Sequence, residues 1–275
     1  MRFVIVGLGS IGRRHQKNLA SLGHQVIPAH HQDNLEHIIV REKPEGLLVC
    51  TPTSQHLQPA LTALTANLPV LIEKPLSHNL DGVDQLKGKI LVGYCLRFDQ
   101  SLRQFKSKID ELESSQIKSV KIVCQSWLPD WHPGSDYSQS YSAKKELGGG
   151  VLLDLSHEID YALWFFGPVK TISAKLTHSP ELNIETESIA DLNLKFKSGV
   201  KTGIHLSYAS RQPTRFCEVV TESETLRWDF RPNNDMYIAE MKHFVKVCQG
   251  KEQPLITAAA GRRVLEVIKT AKKSS

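Results

Sequence analysis

Cysteine is scarce in this sequence, and its few copies form no pattern that would crosslink a fold or bind zinc. The cysteines are odd in number, widely separated and each next to an apolar residue; they are Cys50, Cys95, Cys124, Cys217 and Cys248. No CxxC pair and no Cys/His ligand spacing occurs, which excludes a disulfide framework and the usual zinc sites. We therefore predict buried free thiols and no metal site.

Long hydrophobic runs are also missing. No apolar stretch comes near the roughly 20 residues that a membrane-spanning helix needs. The opening segment, residues 1–7, reaches a glycine too soon to supply the apolar core of a secretory signal. We therefore predict a cytoplasmic protein with no membrane partner.

The net charge of +5 is spread over the chain rather than concentrated. Basic residues occur as scattered pairs, such as Arg13-Arg14 and Lys272-Lys273, and not as a stripe interleaved with aromatic side chains. That distribution argues against a nucleic-acid partner, whereas an anionic cofactor or substrate suits the positive charge.

The first third of the chain alternates short apolar runs with helical segments. Strands are predicted at residues 3–6, 25–29, 47–50, 70–72 and 90–94, and helices at residues 12–22 and 57–66. Strands that alternate with helices favour βαβ units and a parallel sheet. Their uninterrupted apolar character fits a sheet covered on both faces.

The pattern changes after residue 97. In the segments 192–197 and 204–208 every second residue is apolar, which is typical of a largely antiparallel sheet with one buried face. Helices are predicted at residues 98–112, from the glycine run 148–150 to residue 166, and at 236–247 and 258–271.

A glycine-rich segment stands between the first strand and the first helix. It has the sequence Gly7-Leu8-Gly9-Ser10-Ile11-Gly12. Glycines at this spacing permit a tight turn and a close approach of the backbone to a pyrophosphate, and the helix start offers free N–H groups. The placement favours dinucleotide binding over a purely structural turn, with Gly7, Gly9, Ser10, Ile11 and Gly12 as the contacts.

These features together predict the fold class, an α/β protein with two domains. Residues 1–97 would form a dinucleotide-binding Rossmann domain with a doubly wound parallel sheet. Residues 98–275 would form an α+β domain on a largely antiparallel sheet.

The choice between NAD and NADP rests on the end of the second strand. About 20 residues after the glycines, an Asp or Glu commonly binds the ribose hydroxyls of NAD. Here the strand ends in Ala29-His30-His31, and Asp33 lies beyond it. The sequence leaves both cofactors open and leans toward NADP, whose 2′-phosphate a carboxylate would repel.

Two further motifs carry reactive side chains. Glu73-Lys74-Pro75 follows an apolar strand, at the sheet edge where ligands bind in doubly wound folds; a surface ion pair is the competing interpretation. Asp154 and His157 are three residues apart on the helix predicted after the glycine run, and therefore neighbours on one face. A histidine there suits a general base; a structural network in the core is the alternative.

In their order along the chain, the motifs resemble those of the Gfo/Idh/MocA oxidoreductases, the family of glucose–fructose oxidoreductase and inositol dehydrogenase. The matching segments are 7–15, 51–56, 73–77, 93–98 and 148–160. Two departures stand out: the Asp154-to-His157 spacing is one residue shorter than the family pattern, and the stretch from Ile27 to Thr51 is also shortened.

The resemblance implies roles for particular residues. Lys74 would polarise the substrate hydroxyl, His157 would accept its proton and Asp154 would orient His157. Thr51, Pro52, His56, Glu73 and Lys74 would lie beside the cofactor, and Tyr94, Arg97, Trp131 and Tyr137 would line the substrate pocket.

The function implied is hydride transfer between nicotinamide and a hydroxyl carbon of a sugar, cyclitol or nucleotide sugar. The resemblance also implies that the sheet of residues 98–275 is open and that this domain binds the substrate and serves oligomerisation, in a homodimer or homotetramer. Two alternatives stay open: a glycosidase or lyase that oxidises and re-reduces its sugar with NAD, and a regulatory protein that senses NADP without catalysis.

Overall fold

The computed structural model describes residues 1–30, 32–131 and 133–275. They form two compact units. The first comprises Met1–Phe98 with Asn234–Leu265, and the second comprises Asp99–Asn233 with Glu266–Ser275. The chain thus changes unit near the predicted border at residues 97 and 98 and contributes a later segment, 234–265, to the first unit as well.

The first unit contains a parallel five-stranded sheet, as predicted. Its strands are β1 (Arg2–Val6), β2 (Gln25–Ala29), β3 (Gly46–Val49), β4 (Val70–Glu73) and β5 (Ile90–Gly93), in the order β2-β1-β3-β4-β5. Strands β1, β3, β4 and β5 are buried along almost their whole length, as expected for a sheet with helices on both faces. Val6 pairs with Ala29 on one side and Val49 on the other, so the carboxyl ends of these strands share one edge.

Four helices belong entirely to the first unit: α1 (Ser10–Ser21), α2 (Leu35–Glu42), α3 (Leu57–Thr65) and, after the second unit, α7 (Asp235–Cys248). The sequence patterns did not predict α2, which is too short to show a clear helical period. Its local signals are nevertheless present: the Asn34 side chain accepts a hydrogen bond from the His37 N–H (2.9 Å), and Lys43 ends the helix with φ 46°.

Helix α7 packs in the first unit against α1. The Asn234 amide donates to the Asn18 side-chain oxygen (3.0 Å), and the ring centroids of His15 and Tyr237 lie 6.2 Å apart. The C-terminal part of the chain therefore completes the surroundings of the glycine-rich helix.

The second unit is built on a six-stranded sheet that is largely antiparallel, as predicted. Its strands are β6 (Ile117–Trp127), β7 (Val169–Thr177), β8 (Ile189–Phe196), β9 (Lys201–Ser207), β10 (Ala209–Thr221) and β11 (Thr225–Asp229), in the order β11-β10-β6-β9-β8-β7. Only the β6–β9 pair is parallel among these strands. Burial alternates strictly along β8, which is the period that the sequence showed.

The prediction of one continuous helix up to Phe166 is wrong. The chain forms a short helix α5 (Val151–Asp154) and a second helix α6 (His157–Phe166), separated at Leu155, whose backbone leaves the helical region with φ −95° and ψ 30°. Asp154 thus ends one helix and His157 begins the next, and their spacing does not place them on one helical face.

Two helices remain. Helix α4 (Gln100–Asp110) is capped by the Asp99 side chain, which accepts from the Leu102 N–H (2.8 Å). Helix α8 (Ala258–Ser274) runs from the first unit into the second. Across the described ranges, no helix is both long and apolar enough to cross a membrane.

Candidate active site

The glycine-rich segment folds as a turn whose packing requires two of its glycines. Gly7 has φ 93°, and a Cβ atom there would lie 2.6 Å from the carbonyl oxygen of Cys50. A Cβ atom at Gly12 would lie 2.1 Å from the carbonyl oxygen of Gly7. A side chain at Gly7 or at Gly12 would therefore push β1, α1 and the loop after β3 apart.

The third glycine faces open space. Nothing lies within 4 Å of a Cβ atom built at Gly9, which precedes α1 and provides no side-chain cap. The first turn of α1, which includes Ser10 and Ile11, contains no acidic residue. Its N–H groups are thus available for an anion such as a pyrophosphate.

A cavity of about 490 Å³ lies at the carboxyl edge of the sheet, and its lining includes Val6, which directly precedes the glycine-rich segment. It is lined by Val6, His30, Asp33, Leu35, Thr51, Ser54, Gln55, Gln58, Pro59 and Thr62. The hydroxyl oxygen of Thr51 is buried and has no hydrogen-bond partner in the described structure. An open cradle, an adjoining cavity and an unsatisfied hydroxyl in its wall fit the phosphates and ribose of a dinucleotide.

Asp33 belongs to this cavity. Its carboxylate accepts a hydrogen bond from the His30 backbone N–H (2.7 Å), which brings the residue back to the end of β2. Asp33 does lie beyond β2, as the sequence indicates, but it lines this cavity, so a carboxylate is present where the lean toward NADP assumed none. His31, which the sequence places at the end of this strand, lies outside the described residues.

His56 supports the loop that carries Thr51. The residue is buried, and its ring nitrogens lie 2.9 Å from the Pro75 carbonyl oxygen and 3.0 Å from that of Thr51. Burial lowers the pKa of His56, although the two carbonyl groups oppose that change. The side chain thereby ties the segment after β3, which includes Pro52, to the segment after β4.

Glu73 holds the backbone that carries Lys74. One oxygen of its carboxylate lies 2.6 Å from His15 Nε2, and the other accepts from the Lys74 backbone N–H (3.1 Å). The absence of a side chain at Gly93 leaves the necessary room, because a Cβ atom there would lie 3.1 Å from that carboxylate. Lys74 itself is half-buried, and the Lys74–Pro75 peptide bond is cis.

The predicted substrate residues of the first unit differ in exposure. Tyr94 directly follows β5 and is completely buried, whereas Arg97 is half-buried in the helical turn Cys95–Phe98. Tyr94 is therefore a core residue of this unit in the structure, and Arg97 is the better placed of the two to meet a ligand.

In the second unit, the glycine run 148–150 packs tightly against neighbouring residues and thereby positions α5. A Cβ atom at Gly149 would lie 2.2 Å from the Tyr141 carbonyl oxygen, and one at Gly150, which has φ 111°, would lie 2.6 Å from the Glu187 carboxylate. Helix α5 starts directly after this run and places Asp154 in a buried position, with His157 also buried.

Asp154 is part of a buried cluster with Tyr208. The Tyr208 hydroxyl donates to Asp154 Oδ2 (2.6 Å), and burial, reinforced by this carboxylate, raises the pKa of Tyr208 well above its usual value. The ring of Trp131 meets that of Tyr208 edge-on at 5.3 Å, and its N–H donates to the Ser126 hydroxyl (2.8 Å). Tyr208 thus joins two predicted site residues.

Tyr137 lies elsewhere in the same unit. Its hydroxyl oxygen accepts a hydrogen bond from the Asn183 backbone N–H (3.2 Å), which ties a short helical turn to the loop before β8.

Two family models match the chain. One, described as the oxidoreductase family with an NAD-binding Rossmann fold, matches residues 24–89. The other, described as the GFO/IDH/MocA C-terminal domain, matches residues 102–227. Together they account for more than half of the sequence. The chain belongs to the Gfo/Idh/MocA family.

Relatives of this Gfo/Idh/MocA protein agree with that assignment. The myo-inositol 2-dehydrogenase of Thermotoga maritima is 24% identical over 332 aligned residues, which cover 100% of this chain and 96% of the relative. This protein is accordingly an NAD-binding oxidoreductase of the family.

Solved structures show the same fold. The scyllo-inositol dehydrogenase of Lactobacillus casei with bound NAD(H) and scyllo-inositol has a TM-score of 0.81 at 18% identity, covering 100% of this chain and 96% of its own. The WlbA dehydrogenase of Bordetella pertussis in complex with NADH and UDP-GlcNAcA has a TM-score of 0.84 at 18% identity, covering 100% and 95%.

Three residues around the site of this Gfo/Idh/MocA protein were not singled out by the sequence reasoning: His15, Tyr208 and Glu240. His15 stands three residues after Gly12 on the same helix, and Tyr208 ends an alternating strand. These positions can be read from the sequence, but they do not indicate that His15 contacts Glu73 or that Tyr208 contacts Asp154. Glu240 looked like one more acid on an amphipathic helix, although it is completely buried.

Proposed function

We propose that this protein transfers a hydride between NAD(H) and the hydroxyl carbon of a sugar, cyclitol or nucleotide-linked sugar. One observation carries the proposal: the sheet that ends in the open glycine cradle also ends in Glu73, which holds the Lys74 backbone at 3.1 Å. The inositol and nucleotide-sugar ligands named for two structural relatives support a polyhydroxylated substrate.

The residues present suit the cofactor. The segment 7–12 would hold the pyrophosphate, Thr51, which lines the neighbouring cavity, and Pro52 would lie beside the cofactor, and Glu73 would lie beside the ribose. When bound, the nicotinamide supplies the hydride chemistry that no protein side chain provides.

The proton and charge chemistry falls to the protein. The Lys74 ammonium would stabilise negative charge on the substrate oxygen, and the His157 imidazole would take the hydroxyl proton. Asp154, fixed by its hydrogen bond from Tyr208, would orient His157. Of the predicted substrate residues, Arg97, Trp131 and Tyr137 would contact the substrate.

For the cofactor, we favour NAD over NADP. The Asp33 carboxylate lines the cavity at the end of β2, where it would accept hydrogen bonds from ribose hydroxyls and repel a 2′-phosphate. The cytoplasmic location and a homodimeric or homotetrameric assembly stay predictions.

The proposal is tested with a panel of inositols, sugars and nucleotide sugars, each with NAD and NADP, followed by nicotinamide absorbance. With a substrate found, Lys74→Ala should lower kcat about 100-fold or more, because the oxyanion loses its charge partner. Lys87→Ala, which removes an exposed lysine of the same unit, is the matched control and should leave kcat unchanged.

Other outcomes separate the alternatives. Product formed without net NADH would indicate a redox-cycling lyase or glycosidase. Tight cofactor binding without turnover of any substrate would favour a sensor. Full activity of Lys74→Ala would refute the assigned role of the ammonium.

A further inference from the structure

Three ionisable side chains from separate elements meet inside the first unit, below the Lys74 turn. They are His15 of α1, Glu73 at the end of β4 and Glu240 of α7, with exposed fractions of 0%, 7% and 0%. One nitrogen or oxygen atom from each lies within 4.8 Å of the others. We call these three residues the buried triad.

Within the triad, the His15 imidazole is hydrogen-bonded directly to the Glu73 carboxylate. His15 Nε2 lies 2.6 Å from one Glu73 oxygen, while the other Glu73 oxygen binds the Lys74 N–H. Glu73 is therefore the link between the helix of the glycine cradle and the backbone of Lys74.

Glu240 is in a different situation. Both its carboxylate oxygens are buried and have no hydrogen-bond partner in the described structure. Neither solvent nor a hydrogen bond thus compensates a negative charge there, and the nearby Glu73 carboxylate would repel it. Burial and then Glu73 raise the pKa of Glu240 well above its usual value.

The ionisable groups near the triad also include the Cys50 thiol, the Tyr237 hydroxyl and the buried His56 imidazole, and none of these three supplies a positive charge that would offset one on Glu240. The Cys50 thiol, after β3, has a pKa raised by burial, by Glu73 and by Glu240, so it stays neutral. Two buried carboxylates therefore lie close together while the His15 imidazole binds Glu73, and a proton on Glu240 relieves the repulsion between them.

A shared metal ion fits the distances within the buried triad less well than a proton on Glu240 does. Ligand atoms around a tetrahedral ion with bonds of about 2.0 Å stand about 3.3 Å apart. The 2.6 Å between His15 Nε2 and Glu73 is instead a direct hydrogen bond.

We propose that Glu240 is a neutral carboxylic acid in the folded protein and that, with His15, it is a positioning residue that keeps Glu73 on the Lys74 backbone. The catalytic consequence rests on the proposed function; the protonation state does not.

The protonation state is tested by unfolding wild type and Glu240→Gln in urea at pH 5, 6 and 7. The folded protein holds a proton on Glu240 that the unfolded chain releases above its ordinary pKa of about 4.3. Stability of the wild type therefore falls as pH rises, whereas the neutral amide of the variant has nothing to release. We expect the ratio of the two unfolding constants, wild type over variant, to grow about tenfold per pH unit.

The control is Glu36→Gln, an exposed glutamate of the same unit, whose ratio to wild type should stay constant over this range. A constant ratio for Glu240→Gln as well would overturn the proposal. So would a stoichiometric divalent metal in purified wild type that is lost in Glu240→Gln.

The positioning role is tested with the substrate found above. Glu240→Gln should keep kcat within about twofold of wild type, because it preserves shape and neutrality. Glu240→Ala should lower kcat at least tenfold with little change in NADH affinity, since it removes the side chain that fills the space within 4.8 Å of the Glu73 carboxylate while the cradle stays intact. Equal losses of kcat in both variants would overturn the role. If no substrate is turned over, the unfolding experiment still decides the protonation state.

Discussion

The proposed preference for NAD over NADP rests on one carboxylate. Asp33 lines the cavity at the end of β2 and is fixed there by the His30 N–H at 2.7 Å. At this place a carboxylate favours the free ribose hydroxyls of NAD and opposes the extra phosphate of NADP.

Asp33→Ser should therefore shift the preference toward NADP. Removing the negative charge relieves repulsion of the 2′-phosphate, and we expect the ratio of kcat/KM for NADP to that for NAD to rise about tenfold or more, equivalent to about 1.4 kcal/mol. Steady-state kinetics with both cofactors measures the ratio. Asp81→Ser, an exposed aspartate that does not line the cavity, is the control; an equal shift there would contradict the role of Asp33.

The partner of Tyr208 could not be predicted from the sequence. Its hydroxyl binds Asp154 across 54 residues of chain. The alternating pattern of its strand predicts that it is buried, but no pattern along the chain indicates the residue opposite it.

At the scale of elements, the contact between β1 and α1 depends on Gly12. The backbone of Gly7 occupies the space that a side chain at Gly12 would need.

Gly12→Ala is accordingly expected to abolish or strongly weaken NADH binding, because its methyl group must displace Gly7 and deform the cradle. Fluorescence titration with NADH measures the affinity, and circular dichroism checks that the fold remains. Gly203→Ala in β9 is the control, since nothing lies within 4 Å of the added Cβ atom. Unchanged NADH affinity of Gly12→Ala would show that the turn adapts.

Elements with a long or strict pattern could be predicted from the sequence, whereas those decided by a local cap or by packing could not. The five apolar strands and the alternating β8 match the expectations because burial imposes their period. The break at Leu155 was missed because 151–166 is apolar enough for one helix. The short α2 was missed because its apolar residues show no clear helical period and its start depends on the Asn34 cap.

At the scale of the whole molecule, the thiols are distributed through the interior. Cys50, Cys95, Cys124 and Cys217 are buried, and Cys248 is half-buried. Burial, followed by Glu45, raises the pKa of Cys248 to about 12, and burial raises that of Cys217 as well. Thiolate, the reactive form, is therefore scarce at Cys217 and Cys248.

Native protein at pH 8 should thus react slowly with Ellman's reagent, with less than one equivalent modified in the initial phase. Protein unfolded in guanidinium chloride should release all five thiols quickly, which serves as the control. A rapid equivalent in the native protein would mean that one of these cysteines lies in a more open and more polar environment than the structure shows.

The sequence by itself determined the two kinds of sheet, the glycine cradle and the resemblance to the Gfo/Idh/MocA family, because each depends on a repeating period or on a motif of contiguous residues. Only the tertiary structure decided that Asp33 lines the cavity, that Tyr208 holds Asp154 and that His15, Glu73 and Glu240 meet. These contacts join residues tens to hundreds of positions apart, and whether a charge or a hydroxyl is satisfied depends on the neighbours that folding brings to it.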